Sequence, residues 1–324
     1  MPGDLIAPPR TIAPSGTAAE GEGYPNGYAT GVRDKAGRAQ IFDPALKHYS
    51  RAFRLGDPDF SDPGMAQRWL ACRDEVMHHI LGIAMEPPRG AHLVLRGSLL
   101  LTSWLGSEAR PPGDLDFVFR PRAAGMGDST SEELLAGLVA ALAQRPGVGD
   151  ATIEAEGVAI DDIWTYERAP GRRLVFPWRA EGFPPGRVQL DVVFGEELWE
   201  EPIRALIPHP GGGVTPSWSA TPAVSLAWKL LWLETDMYPQ GKDLYDATLL
   251  AERTALPFDL LWSVLRAGEC QLDRLEPDLP MRWGVDWPNF LVECPWVEGD
   301  ARDWQERLTR ALAPTFESPW SAPR

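Results

Sequence analysis

Thiols and imidazoles are scarce in this chain. Its three cysteines, Cys72, Cys270 and Cys294, are odd in number and too widely spaced for a zinc pattern, which excludes a disulfide framework and points to a reducing cytoplasm. Of its five histidines, only His78 and His79 are neighbours, and with no second cluster at ligand spacing they read as structural or solvated. Positive charge is also short. With 31 basic against 46 acidic side chains, the formal charge of −15 excludes sequence-independent nucleic-acid binding over the whole surface, though a local basic patch is still allowed. No apolar run reaches the length of a membrane span, and the opening MPGDLIAPPR lacks the basic start and apolar core of a secretory signal. A cytoplasmic protein with no membrane partner is therefore expected.

What is present is concentrated between Leu93 and Phe119, LVLRGSLLLTSWLGSEARPPGDLDFVF. An apolar strand ends at Gly97-Ser98, a short helix and a Gly/Pro-rich loop follow, and the chain re-enters a strand at Asp114-Leu115-Asp116. Residues two apart on a strand share a face, so Asp114 and Asp116 stand side by side while Leu115, Phe117 and Phe119 face the other way. Carboxylates that close repel, and a divalent cation relieves them. Gly97 lets backbone approach a ligand, and Ser98 opens a helix whose free N–H groups favour an anion. Metal pair beside phosphate cradle suggests phosphoryl or nucleotidyl transfer. Taken singly, a Gly-Ser turn and an Asp-x-Asp on a surface strand are ordinary solvated features. Their order along the chain is what gives them meaning.

A third carboxylate lies in Arg187 to Phe194, RVQLDVVF, where Asp191 is the one acid inside a strand that reads as buried. An unpaired carboxylate there costs several kcal/mol or must hold a proton. A metal shared with Asp114 and Asp116 is the expected partner; the alternative is that Asp191 caps a loop or pairs with an arginine.

Gly97-Ser98, Asp114-x-Asp116 and Asp191 together resemble the signature of the DNA polymerase β-like nucleotidyltransferase superfamily. Lys229, followed by Lys242-Asp243-Leu244-Tyr245-Asp246, is similar to the AbiEii/AbiGii toxin branch, nucleotidyltransferases of bacterial toxin-antitoxin and phage-abortive systems. Residues 90 to 252 carry the resemblance, with Arg96-Gly97-Ser98 standing where that branch often has Gly-Gly-Thr. It implies an α+β fold, a small mixed β-sheet core flanked by helices with a mostly helical C-terminal domain. It further implies two Mg²⁺ ions on Asp114, Asp116 and Asp191, and an NTP held by Gly97, Ser98, Arg110 and Lys229. Asp243 is expected to position the nucleotide or Lys229, with Asp246 and Tyr245 in support. The implied acceptor is a hydroxyl of a tRNA 3′ end or a protein, and the implied partner a cognate antitoxin. The alternatives are a small-molecule, aminoglycoside-type nucleotidyltransferase, which an acidic protein suits, and a non-catalytic nucleotide-binding protein.

The remaining chain divides accordingly: a loosely ordered arm over 1–60, a core over 61–215 and a helical domain over 216–324 that completes the nucleotide site. Asp62-Pro63 predicts a helix start with Met65, Trp69, Cys72, Val76 and Ile80 on its apolar face. Glu132 to Gln144 predicts another helix, and 151–160 and 173–178 read as strands. Arg168, Arg172, Arg173, Arg179 and Arg187, interleaved with Tyr166, Phe176, Trp178 and Phe183, form the one basic stretch. It reads either as a seat for a phosphate-bearing acceptor or as a hairpin whose arginines pair with acids. Thr221-Pro222 predicts a helix that is apolar around most of its surface, so Lys229 within it needs an anionic partner, such as a triphosphate, or must reach solvent. Lys242 and Asp246, four apart on the next helix, are spaced for an ion pair. Helices are also expected after Pro257 and near Asp303 to Leu312.

Overall fold

The computed structural model describes residues 11–12, 40–42, 53–165, 169–268, 270 and 275–317. Most of the arm expected over 1–60 therefore lies outside the described residues. Within it, β1 (Thr11–Ile12), β2 (Gln40–Phe42) and β3 (Phe53–Leu55) pair as an antiparallel three-stranded sheet.

Asp62 starts α1 (Pro63–Ala84), its carboxylate accepting from the Gly64 amide at 2.9 Å, with Pro63 supplying a preset first-turn φ. Then follow β4 (Leu93–Arg96), α2 (Gly97–Leu105), β5 (Asp114–Phe119) and α3 (Ser129–Gln144). Two short strands, β6 (Gly147–Val148) and β7 (Ala151–Ile153), precede the long ribbon β8 (Ala159–Thr165), β9 (Ala169–Ala180) and β10 (Gly186–Val193). The hairpin β11 (Ile203–Pro208) and β12 (Val214–Ser219) ends the strands, turning through Gly212 and Gly213, both at φ near +90°. Among the described residues these make one mixed nine-stranded sheet, in the order β11-β12-β4-β5-β10-β9-β7-β6 with β8 on β9. The α+β class is as expected.

Helices take over at α4 (Pro222–Thr235), where Thr221 Oγ1 accepts from the Val224 amide. After it come α5 (Gly241–Ala251), α6 (Phe258–Ala267), α7 (Trp287–Glu293) and α8 (Ala301–Glu317). The Trp-rich end is a packed lobe: Trp287, Phe290 and Trp304 are buried, with Tyr245 of α5 lying 5.4 Å from Phe290 and 4.8 Å from Trp304, ring to ring. No described helix is long and apolar enough to cross a membrane.

The sheet is apolar on one face and charged on the other. Leu115, Phe117 and Phe119 are buried, and α1 packs against β5 and β10. Asp114 and Asp116, one residue out of phase, project from the opposite face.

His78 is buried on α1 with its ring 4.6 Å from that of His209, while His79 bonds through Nε2 to the Arg145 carbonyl. Burial, with His209 adding to it, pushes His78 down to about 4 from its ordinary 6.5. Folding thus favours the neutral ring. Its stabilising contribution is full above pH 6.5 and is lost as pH falls towards 4. Replacing His78 by Leu should therefore remove roughly 3 kcal/mol of the stability change between pH 7 and 4, read by urea unfolding of both proteins at each pH.

Candidate active site

Strand register sets Asp116 and Asp191 side by side, with Asp114 two residues along β5. β5 and β10 run parallel with Asp116 opposite Asp191 and Asp114 opposite Gln189, and β4 runs antiparallel with Arg96 opposite Asp116. Register partners project to the same face. The turn into α2 is shaped around this acid. Gly97 sits at φ +76°, and a Cβ built on it would fall 2.1 Å from Asp116 Oδ2. Backbone conformation and space both exclude a side chain there. Ser98 is buried at the first turn of α2, and its Oγ has no hydrogen-bond partner among the described residues. A buried hydroxyl with no protein partner beside a helix N-terminus is a donor suited to an anion's oxygen.

The same register continues outward. Asp191 lies opposite Arg173 on β9, and Arg173 opposite Asp161 on β8, so Arg96, Asp116, Asp191, Arg173 and Asp161 form one row across five strands. Arg173 grips Asp191 at two points, Nε to Oδ1 at 2.8 Å and Nη2 to Oδ2 at 2.7 Å, and both side chains are buried. Where a shared metal was the expected partner of Asp191, the structure provides the arginine of the alternative reading. Among the described residues, no three His, Cys, Asp or Glu side chains stand together as a ready ion-binding group. The basic stretch is likewise paired internally: Arg172 to Asp162, Arg179 to Glu154, Arg173 to Asp191. Phe176 and Trp178 are fully buried, Trp178 against Trp69 at 5.3 Å, so they offer no stacking platform. Tyr166 and Arg168 lie outside the described residues.

Lys229 was expected to meet a triphosphate or solvent; it meets two aspartates. Its Nζ lies 2.7 Å from Asp243 Oδ1 and 2.9 Å from Asp246 Oδ2, all three side chains being buried. Asp246 turns to Lys229 and to Arg110, whose Nε lies 3.2 and 3.1 Å from its two oxygens, in place of Lys242 on its own helix. Burial works against charge on Lys229, but Asp243 and Asp246 outweigh it and hold its pKa above the ordinary value. Burial likewise opposes charge on Asp246, and Arg110 and Lys229 reverse it. Tyr245 donates from its hydroxyl to the Glu108 carbonyl at 2.7 Å. Two adjacent residues of α5 therefore grip the loop that leads into Asp114. The sequence offered Asp243 as a positioner of the nucleotide or of Lys229, and it is Lys229 that it holds; Arg110, expected on the nucleotide, pairs instead with Asp246.

Arg96 completes the surroundings. It is buried, pairs with Glu196 at 2.6 Å, and lies over Trp228 at 5.4 Å and Trp232 at 5.6 Å. Together with Lys229 it favours the ionised form of Asp116, yet burial and the charges of Asp114 and Asp191 prevail and push Asp116 up to about 7. The pair Asp114 and Asp116 matches a hard divalent ion of the Mg²⁺ type, which takes one or two carboxylates and fills its other positions with water and phosphate oxygens. Ser98 Oγ and the first amides of α2 are donors of the kind that phosphate oxygens accept from.

Two measurements follow. Because folding raises the Asp116 pKa, the folded state holds a proton that the unfolded state has lost between about pH 4 and 7, and stability declines as pH rises through that window. Without added divalent cation, Asp116→Asn should melt above wild type at pH 8 and lose that advantage at pH 4. Lys229→Met leaves Asp243 and Asp246 buried with less positive charge, and should cost about 3–5 kcal/mol in denaturant unfolding.

No curated protein matches the chain. The family model for the nucleotidyl transferase AbiEii toxin of type IV toxin–antitoxin systems matches residues 79–312, a span that takes in the Gly97 turn, the Asp114 strand, the Arg173–Asp191 pair and the Lys229 network. The chain belongs to that family of nucleotidyltransferase toxins.

Proposed function

We propose that this toxin transfers a nucleoside monophosphate from an NTP to an acceptor hydroxyl and releases pyrophosphate, and that its growth-arresting action is relieved by a cognate antitoxin. The carrying observation is the fit of the Asp116 carboxylate into the space a Cβ would take at Gly97. It sets the phosphate-binding turn and the acidic strand against each other with no room between them.

In this reading Asp114 and Asp116 hold Mg²⁺, which when bound would supply Lewis-acid activation of the phosphoryl group and of the attacking oxygen. Ser98 Oγ and the first amides of α2 receive the terminal phosphates. Lys229, fixed by Asp243 and Asp246, presents a positive field to the Asp116 side, where charge builds on the leaving pyrophosphate. Arg110 acts through Asp246, holding the loop that feeds Asp114. The internal pairing of the basic stretch leaves acceptor binding to surfaces other than Phe176 and Trp178.

Incubation with each α-labelled NTP, Mg²⁺, total RNA and a protein extract should place label on a single class of macromolecule, a tRNA 3′ end or a protein hydroxyl. Asp116→Ala should lower labelling at least a thousandfold and abolish growth arrest, with the fold retained by circular dichroism. Undiminished labelling by that variant would overturn the assignment.

A further inference from the structure

Nucleotidyl transfer with two ions on three carboxylates requires the third acid to be available. Here it is already engaged. The β5–β10 register sets Asp191 directly beside Asp116, yet both of its oxygens are bonded to the Arg173 guanidinium. This contact does not depend on a long side chain reaching across solvent. Arg173 is the register partner of Asp191 on the adjacent strand, both are buried, and Arg173 is itself flanked on its far side by the buried Asp161. A planar guanidinium matched at two points to a carboxylate engages both of its oxygens and offsets the charge that would draw a metal ion. On the other side of Asp116, Arg96 adds a second fixed cation in the same row.

We infer that Arg173 is a positioning residue that withholds Asp191 from the metal set, so that the nucleotide-free protein takes one divalent ion, on Asp114 and Asp116, in place of two. The inference rests on the proposed reading of Asp114 and Asp116 as metal holders. It concerns what this chain's own arginine does to the third acid.

Counting Mn²⁺ bound to the full-length, nucleotide-free protein by electron paramagnetic resonance tests it. Wild type should bind one ion per chain, and Asp116→Asn should bind none. Asp191→Asn, which keeps a bond to Arg173, should still bind one ion with affinity within about threefold of wild type, because Asp191 is not a ligand. Arg173→Met should gain a second ion or tighten total binding at least tenfold. Two ions on wild type, or a tenfold or greater loss of affinity in Asp191→Asn, would overturn the latch while leaving the site in place. An unaltered ion on Asp116→Asn, or none on wild type, would instead overturn the site itself. Should Arg173→Met fail to fold, the Asp191→Asn affinity alone decides between ligand and latched acid.

Discussion

Everything at this site depends on how the negative charge at Asp116 is accommodated. It stands between Asp114 on its own strand and Asp191 on the next, in a setting poor in water, and the resulting repulsion shows in a carboxylate held near neutrality. The fold answers with fixed cations rather than with distance. Arg96 lies on one side in register and Arg173 lies beyond Asp191 on the other, so that signs alternate along much of the row. Strand pairing decides this order, because a slip of one residue in any of these strands would send its charge into the apolar face against α1. The apolar core and the charged face therefore specify the same register.

A second group of charges fastens the helical part to the sheet. Arg110, Asp246, Lys229 and Asp243 form a buried chain with two charges of each sign, and it bridges the loop before β5 to helices α4 and α5. Buried ion pairs of this kind add little net stability over well-packed apolar residues, but they tolerate few alternatives in geometry. Their value here is directional. Lys229 is held where its field reaches Asp116, and Arg110 is held where it steadies the approach to Asp114.

Much of this was legible in the residues. Alternation in DLDF gave the two-faced strand, and Asp62-Pro63 and Thr221-Pro222 marked helix starts that the structure keeps. The need for a partner at Asp191 and at Lys229 followed from burial alone. Which partner could not follow, since that depends on register between strands about 18 residues apart in sequence and on helices more than 100 residues away from the loop they hold. Arg173 stood in view inside a basic stretch, but its role becomes visible only when β8, β9 and β10 are laid side by side. Arg96, read at first only as the residue before a glycine turn, needed the β4–β5 pairing to gain a meaning. The aromatic residues of the same ribbon misled for a related reason: Phe176 and Trp178 stand an odd number of residues from Arg173 along β9, so they project from the other face of the strand and are buried there.

The grip of α5 on the loop before β5, through Tyr245 to Glu108 and Asp246 to Arg110, spans 137 and 136 residues of chain. During synthesis the acidic strand leaves the ribosome long before the helix that steadies it. A nascent polypeptide that ends short of Asp243 carries the Gly97 turn and both acids of β5 but neither fastening, and it lacks both aspartates that hold Lys229. Completion of α5, and not of the acidic strand, therefore sets when the loop before β5 can be fastened.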